Sequence, residues 1–265
     1  MDRIEKLIID FKNFVVKQPI NYYDYNKVLI TSHSTRIEGS TLSIGEVYAL
    51  IEDGITPKKA FVHSMMTLDY YNALSYVIDQ SSRRTPISVE QIKHIASLVM
   101  KRTAQIVSRE SVKADAAKRD FRNYLSTGDI VFTSYDKVPE KMKELVDKIN
   151  EELEKGDNLN ICQKLELSFF IHCELINIQP FIDGNGRTAR LLMNYIQNYF
   201  SLPLSIVYAE DNREYYPVLR KVRDTNDIQP FYDFMFFQYQ KFLNEEIEKA
   251  NEADNSKSIT FKLNK

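Results

Sequence analysis

The chain has 265 residues, of which 43% are hydrophobic and 27% charged, and its formal net charge is -2. This balance gives no general basic character of the kind that nucleic-acid binding usually requires, so direct nucleic-acid binding has no support. No apolar run approaches the roughly 20 residues that cross a bilayer, and the mixed charges at the start are not typical of a signal peptide. We therefore expect a cytoplasmic globular protein in which Cys162 and Cys173 are free, buried thiols.

Apolar residues recur at helical spacing along most of the chain, with only 7 glycines and 8 prolines to interrupt them. In chain order the spacing predicts helices over 4–15, 22–34, 43 onward, 58–80, 88 onward, 138–155, 165–178 and 189–199. Ser43 with Glu46, and Ser88 with Gln91, have the spacing of N-terminal capping pairs. No internal repeat and no break in composition marks a second domain. The pattern predicts one mainly α domain.

Two segments depart from the helical pattern. Residues 123–134 are β-branched and aromatic around a Gly-Asp pair, which predicts a short β-hairpin. The tail 246–265 is charged and polar, and we expect its end to fray.

The most informative stretch separates two apolar helical runs at Pro180 and at the turn Gly184-Asn185-Gly186. A glycine turn that enters a helix presents free backbone N–H groups at the positive end of the helix dipole, which favours an anion. Arg187 and Arg190 add guanidinium groups suited to phosphate oxygens. Asp183 could hold Mg²⁺, which commonly bridges one carboxylate and substrate phosphates. The sequence therefore predicts a phosphate site.

Two other structures contain similar turns. Asp-Gly and Asn-Gly are hairpin turn signals, but the flanking residues here have helical spacing. If Gly186 were the invariant glycine of an EF-hand calcium loop, Phe181 and Leu192 would stand at the first and last ligand positions, so that interpretation fails.

The run from Pro180 to Arg190 resembles the signature of the Fic family, His-x-Phe-x-Asp/Glu-Gly-Asn-Gly-Arg-x-x-Arg. The resemblance implies that Asp183 coordinates Mg²⁺ and that Gly184, Asn185 and Gly186 cradle the phosphates of ATP together with Arg187 and Arg190. Members transfer AMP from ATP to a hydroxyl group of a target protein, which could be the chain itself. Doc-type relatives phosphorylate instead and carry Ala-Asn-Lys-Arg in the loop, so the intact glycines favour AMP transfer. A homodimer is left open.

The resemblance also organises the rest of the chain. It implies a single Fic-type helical bundle with an N-terminal region over 1–85, a Fic core over 86–245 and a polar tail over 246–265. Within the core, the predicted hairpin near 123–135 is similar to the family's flap, which aligns a target segment beside the loop 179–190. The segments 213–219 and 229–231 resemble the helices on its nucleotide side.

A second motif lies before the core. Ser34-x-x-x-Glu38-Gly39 resembles the family's inhibitory helix signature, Ser/Thr-x-x-x-Glu-Gly/Asn. The resemblance implies that the Glu38 carboxylate pairs with Arg190 and occupies the place that a γ-phosphate needs. Alone, such a motif is an ordinary helix end, and only the neighbouring loop signature gives it weight.

One position departs from the family pattern. Gln179 stands where the family has the histidine that serves as general base, and an amide cannot carry a proton away near neutral pH. His172 lies about two helical turns earlier and is expected to be a packed helix residue. His33 adjoins the inhibitory motif and is a weak alternative base, while His63 and His94 are expected to be ordinary helix residues.

Three interpretations of Gln179 stay open: a natural pseudoenzyme, a weak transferase, and a chain altered at this position. The leading hypothesis is an AMP-transfer scaffold with ATP and Mg²⁺ at the loop, inhibited by Glu38 and impaired by Gln179. The alternatives are a non-catalytic nucleotide-binding regulator and, with less support, a structural helical module. Whether the chain is an enzyme is therefore undecided by its sequence.

Overall fold

A computed structural model describes residues 3–15, 22–106, 120–122 and 132–263 of the chain. Most of these residues are helical, and no β-strand occurs among them, which confirms the mainly α class. The helices are α1 (Arg3–Phe14), α2 (Tyr22–Ile37), α3 (Ile44–Glu52), α4 (Phe61–Ser82), α5 (Val89–Val99), α6 (Thr103–Ile106), α7 (Val138–Lys155), α8 (Ile161–Ile178), α9 (Asn185–Tyr199), α10 (Asn212–Thr225) and α11 (Gln229–Leu263).

The two non-helical predictions have different outcomes. The hairpin predicted over 123–134 lies largely outside the described residues, since 123–131 are not among them, and it stays a prediction. Residues 132–134 are irregular and lead into a 3-10 turn at Tyr135–Lys137. The tail differs from the prediction, because α11 continues to Leu263 and its backbone is helical up to that residue. The tail contains Glu, Lys and Ala residues, which have a high helix propensity.

Local signals set the helix ends as the sequence predicts. The Ser43 hydroxyl accepts from the Glu46 N–H at 3.3 Å, and the Glu46 carboxylate accepts from the Ser43 N–H at 2.8 Å, which completes a capping box. The Ser88 hydroxyl likewise accepts from the Gln91 N–H at 3.1 Å at the start of α5. Gly156 has φ +49 at the end of α7, a conformation that favours glycine.

Helix α9 lies at the centre of the fold and packs against α8, α4 and α5, while α2 packs on α4 and α1 on α11. One hydrophobic cluster runs from Ile4 to Ala250 and therefore joins the N-terminal helices to the core. This arrangement brings the C-terminal end of α2 to the N-terminal end of α9. None of the described helices is long and apolar enough to cross a bilayer.

The second half of α2 is buried although its residues are polar. Residues 31–35, which read Thr-Ser-His-Ser-Thr, expose between 0% and 6% of their surface. The Thr35 hydroxyl donates to the Thr31 carbonyl at 2.9 Å, and the helix contacts α4 and α9. This half of α2 therefore meets its neighbours through hydroxyl groups as well as through apolar side chains.

Candidate functional site

The loop between α8 and α9 is built by backbone turns and one side-chain brace. Gln179 ends α8 in the left-handed conformation (φ 52°, ψ 57°), and its N–H donates to the Leu175 carbonyl at 2.9 Å. The Asn185 amide accepts from the Phe181 N–H at 2.9 Å and donates to the Phe181 carbonyl at 2.7 Å. Because Asn185 is 5% exposed, this pair of bonds fixes the loop from inside.

Gly184 is required at the start of α9 by both its conformation and its neighbours. It has φ +79, and a Cβ atom there would lie 3.2 Å from Cγ of Met100 and 3.3 Å from Cγ1 of Val99. The first bond of α9 runs from the Thr188 N–H to the Gly184 carbonyl at 2.9 Å. The N–H groups of the first turn have no partners within the helix, so they are available to a bound group.

Arg187 lies beneath the loop, not in the cavity above it. Its guanidinium contacts Sδ of Met100 at 3.2 Å, the Val99 carbonyl at 3.5 Å and the Asp183 carboxylate at 3.4 Å, and it is 2% exposed. In this position Arg187 supports the loop and adds positive charge to it, and its direct role in phosphate binding stays a prediction.

A cavity of about 470 Å³ opens above the loop. Seven of its lining residues are predicted site residues: Glu38, Gln179, Asp183, Gly184, Asn185, Gly186 and Arg190. Its other wall comes from Phe132, Ile176, Ile182 and the helix α10 residues Tyr215, Tyr216, Leu219, Arg220 and Arg223. The structure therefore brings the two sequence motifs together around one cavity, as predicted, although Ser34, Gly39 and Arg187 are not among its lining residues.

Glu38, Ser34 and Arg190 form a buried contact between α2 and α9. Nη2 of Arg190 lies 2.7 Å from Oε1 of Glu38, and Nε donates to the Ser34 hydroxyl at 2.7 Å. Burial alone would raise the pKa of Glu38, but Arg190, with help from Arg187, lowers it below its usual value. Burial would lower the pKa of Arg190, but Glu38 raises it. Both groups are therefore charged.

The same carboxylate lies against the glycine turn. A Cβ atom on Gly186 would stand 2.6 Å from Oε1 of Glu38 and 3.2 Å from Nη1 of Arg190, so no larger residue fits there with Glu38 in place. Gly39 follows Glu38 with φ +93, and this left-handed residue turns the chain away after α2. An anionic group of the protein thus occupies the N-terminal end of α9, where the helix dipole favours negative charge.

Asp183 is the carboxylate of the loop. Its side chain is 44% exposed and lines the cavity, and its contact with Arg187 at 3.4 Å leaves oxygen atoms facing solvent. Among the described residues no group of three or more His, Cys, Asp or Glu side chains could hold a metal ion by itself. A single accessible carboxylate fits Mg²⁺ that arrives with phosphate ligands, as this ion often does.

None of the four histidines lines the cavity. His172 is fully buried, its Nε2 lies 2.6 Å from the Tyr215 hydroxyl, and burial lowers its pKa well below the ordinary value, so it is the packed residue that was predicted. His33 accepts from the Ala209 N–H at 3.2 Å and does not line the cavity, which argues against it as an alternative base. His63 accepts from the Thr41 N–H at 2.8 Å.

Two features of the site have no clear signal in the sequence. Arg122, which is 4% exposed, donates from Nε to the Gln179 carbonyl at 2.6 Å. Arg223 lies over the ring of Phe132, with 4.7 Å between the guanidinium carbon and the ring centroid. A lone arginine outside a motif is usually a surface residue, and only the folded arrangement distinguishes these two.

The Fic/DOC family model matches residues 86–197, which include the whole loop. This part of the chain is a Fic/DOC family domain. It is 30% identical over 206 residues to the protein adenylyltransferase fic-1 of Caenorhabditis elegans, an alignment that covers 77% of this chain and 38% of that protein. It is 29% identical over 205 residues to the protein adenylyltransferase Fic of Nematostella vectensis, covering 77% and 44%. The chain therefore spans less than half the length of these Fic relatives.

Solved structures agree on the fold. A Fic domain containing signaling protein from Bacteroides thetaiotaomicron superposes with a TM-score of 0.80 at 22% identity, over 95% of this chain and 98% of that one. Fic-1 of C. elegans (residues 134–508 of that protein) superposes with a TM-score of 0.74 at 24% identity, over 94% and 71%. The Fic fold therefore extends over nearly the whole chain.

Proposed function

We propose that this chain binds ATP with Mg²⁺ above the loop 179–190 and forms a scaffold for the transfer of AMP to a protein hydroxyl. The observation that carries the proposal is the position of the Glu38 carboxylate, which lies against Gly186 and pairs with Arg190. A site that holds the protein's own anion at a helix N-terminus is built for anions. The two relatives named as protein adenylyltransferases support the reaction class.

Different residues around the loop would contact different parts of the bound ATP and Mg²⁺. The first-turn N–H groups of α9 and the Arg190 guanidinium would bind phosphate oxygens, while Asn185 keeps the turn in place and Arg187 supports it from below. Asp183 would hold Mg²⁺, whose charge would offset that of the phosphates. The α10 wall with Tyr215 and Tyr216 would enclose the remainder of the nucleotide.

Glu38 would act as a brake on this site. Its carboxylate holds the guanidinium that a terminal phosphate needs, and the two anions cannot share the space over Gly186. Productive binding of ATP therefore requires Glu38 to leave.

Gln179 would limit the chemical step. It lines the cavity at the position of the family histidine, but its amide cannot accept the proton that the acceptor hydroxyl releases. Loss of a positioned base typically lowers the rate by about 10² to 10⁴. The chain as it stands is therefore proposed to be a weak or inactive transferase that still binds nucleotide.

The test compares four versions of the chain: as given, Glu38→Gly, Gln179→His, and the double variant. Each is incubated with Mg²⁺ and ATP labelled on the α-phosphate, and covalent label is measured by gel and intact mass. We expect label with the double variant, at least about 10²-fold above the chain as given. ATP labelled on the γ-phosphate serves as the control for phosphorylation. A folded double variant that binds ATP and forms no label would contradict the proposal.

The second candidate is a non-catalytic nucleotide-binding regulator, and the amide at Gln179 favours it. In that case ATP or ADP binds, Glu38→Gly tightens binding, and no version forms label. Failure of every version to bind nucleotide at millimolar concentration would leave only a structural helical module.

A further inference from the structure

We infer that Arg122 is a positioning residue that fixes the two opposite walls of the cavity relative to each other. One wall is the end of α8 at Gln179, and the other begins at Phe132. The inference rests on the proposed function for its kinetic consequence, but the clamp itself can be tested without any activity.

The contacts of Arg122 converge on the end of α8. Its Nε donates to the Gln179 carbonyl at 2.6 Å, its Nη2 lies 3.4 Å from the Ile178 carbonyl, and its backbone N–H donates to the Pro180 carbonyl at 2.8 Å. The last carbonyl groups of a helix have no partners within it, and a cation there also complements the helix dipole. One buried arginine therefore binds three consecutive carbonyls at the point where the loop begins.

The same guanidinium reaches the second wall. Nη2 of Arg122 also donates to the carbonyl of Thr133, the residue next to Phe132. The Phe132 ring lies under the Arg223 guanidinium of α10, 4.7 Å away, and both residues line the cavity. The position of Phe132 and Arg223 is therefore tied through Arg122 to the backbone of Gln179.

This tie matters most at Gln179 because its backbone is in a region that residues other than glycine rarely adopt. With φ 52°, its side chain keeps its direction only while the surrounding bonds hold the peptide in place. The N–H is held by Leu175 and the carbonyl by Arg122. Loss of the second bond would leave the residue at the base position free to turn away from the cavity.

The first experiment uses the chain as given with Arg122→Ala and Arg122→Lys, and follows amide hydrogen exchange by mass spectrometry. We expect faster exchange in peptides covering 174–181 and 132–137 together, and unchanged exchange in peptides covering 188–197. The control is Phe121→Leu, which alters the ring contact with Phe181 (5.8 Å between centroids) and keeps the guanidinium. If Arg122→Ala exchanges everywhere because it does not fold, Arg122→Lys must reproduce the pattern. Faster exchange at one wall alone, or at neither, would overturn the inference.

The second experiment adds the same substitutions to the Glu38→Gly, Gln179→His variant. We expect Arg122→Ala to lower kcat about tenfold or more, because a small misplacement of a reacting group has effects of this size. KM for ATP should change less than about twofold, since the carbonyls that Arg122 binds at the end of α8 precede the glycine turn, and Arg122→Lys should recover part of kcat. Equal losses in kcat and ATP binding would indicate a general structural role. If the parent variant forms no label, the proposed function fails, and hydrogen exchange still decides the role of Arg122.

Discussion

A Cβ atom on Gly186 would lie 2.6 Å from the carboxylate oxygen Oε1 of Glu38, so the turn and the carboxylate fit together only because residue 186 has no side chain. The two residues stand on different helices, α9 and the end of α2. The contact joins the two sequence motifs. Under the proposed function, the glycine that would admit a phosphate also admits the carboxylate that would compete with it.

The fit between these two residues predicts that the effect of Gly186→Ala on the free energy of unfolding depends on whether Glu38 is present. Gly186→Ala should destabilise the chain as given, because the new methyl group displaces Glu38 from Arg190 and breaks a buried ion pair. In the Glu38→Gly background the same substitution should destabilise much less, because the carboxylate is absent and the next atom, Nη1 of Arg190, lies 3.2 Å from the new Cβ. Urea unfolding of the four chains measures both effects. Equal effects in the two backgrounds would contradict the assigned contact.

The charge of Glu38 should weaken the binding of ATP. Glu38→Gln keeps the size of the side chain and removes its negative charge, so ATP no longer competes with an ion pair. We expect ATP to bind about tenfold more tightly, equivalent to about 1.4 kcal/mol, with little change for adenosine. Titration calorimetry measures both ligands. Glu46→Gln is the matched control, because that partly exposed carboxylate pairs with Lys59 at 2.7 Å and does not line the cavity.

Asp183 should make nucleotide binding depend on Mg²⁺. Asp183→Asn keeps the shape of the loop but removes the carboxylate, so Mg²⁺ should no longer strengthen ATP binding, whereas ATP binding without the ion should change little. Titrations with Mg²⁺ and with excess chelator give the two affinities. Asp79→Asn, which removes a surface carboxylate paired with Arg83 at 2.7 Å, should keep the full response to Mg²⁺. A normal response in Asp183→Asn would exclude this residue as a ligand.

His33 should make the fold less stable in mild acid. Burial lowers its pKa from the model-compound value of 6.5 to about 4, although Glu210 nearby opposes this change. Between these two pH values the unfolded chain takes up a proton that the folded chain does not. Stability therefore falls as pH decreases through this window, by up to about 3 kcal/mol.

The variant His33→Asn isolates this contribution. Its amide oxygen can accept from the Ala209 N–H, as Nδ1 of His33 does at 3.2 Å, but it does not titrate. Urea unfolding at pH 7, 6, 5 and 4 should show a smaller loss of stability in the variant than in the chain as given. Parallel pH profiles would mean that His33 is protonated in the folded state as easily as in the unfolded one.

Much of this architecture could be predicted because its signals are local. Helix spacing and capping residues such as Ser43 with Glu46 depend on neighbours in sequence, and so does the glycine turn that ends at Gly186, from which an anion site at a helix start is predicted. The pairing of Glu38 with Arg190 came from the family resemblance, since nothing local links residues that are 152 positions apart.

The contacts that could not be predicted depend on the direction in which a side chain points in the folded chain. Arg187 and Arg190 stand three residues apart in one helical turn, yet the first points below the loop towards Met100 and the second towards Ser34. Spacing gives the face of a helix but not what covers that face. Arg122 illustrates the same limit, because the three carbonyls that it binds lie at the end of α8 and just after it, more than fifty residues away in sequence.

The hydroxyl-rich face of α2 has a consequence for how this helix would separate from the core if Glu38 acts as the proposed brake. Threonine and serine side chains, unlike those of leucine or valine, regain hydrogen bonds when they meet water. Exposing residues 31–35 to solvent would therefore uncover little apolar surface. Separation of the whole helix would also break the bonds of Arg190 with Glu38 and Ser34 and would expose Leu29, Ile30 and Ile37, so the hydroxyl-rich stretch lowers only part of the free-energy cost of opening.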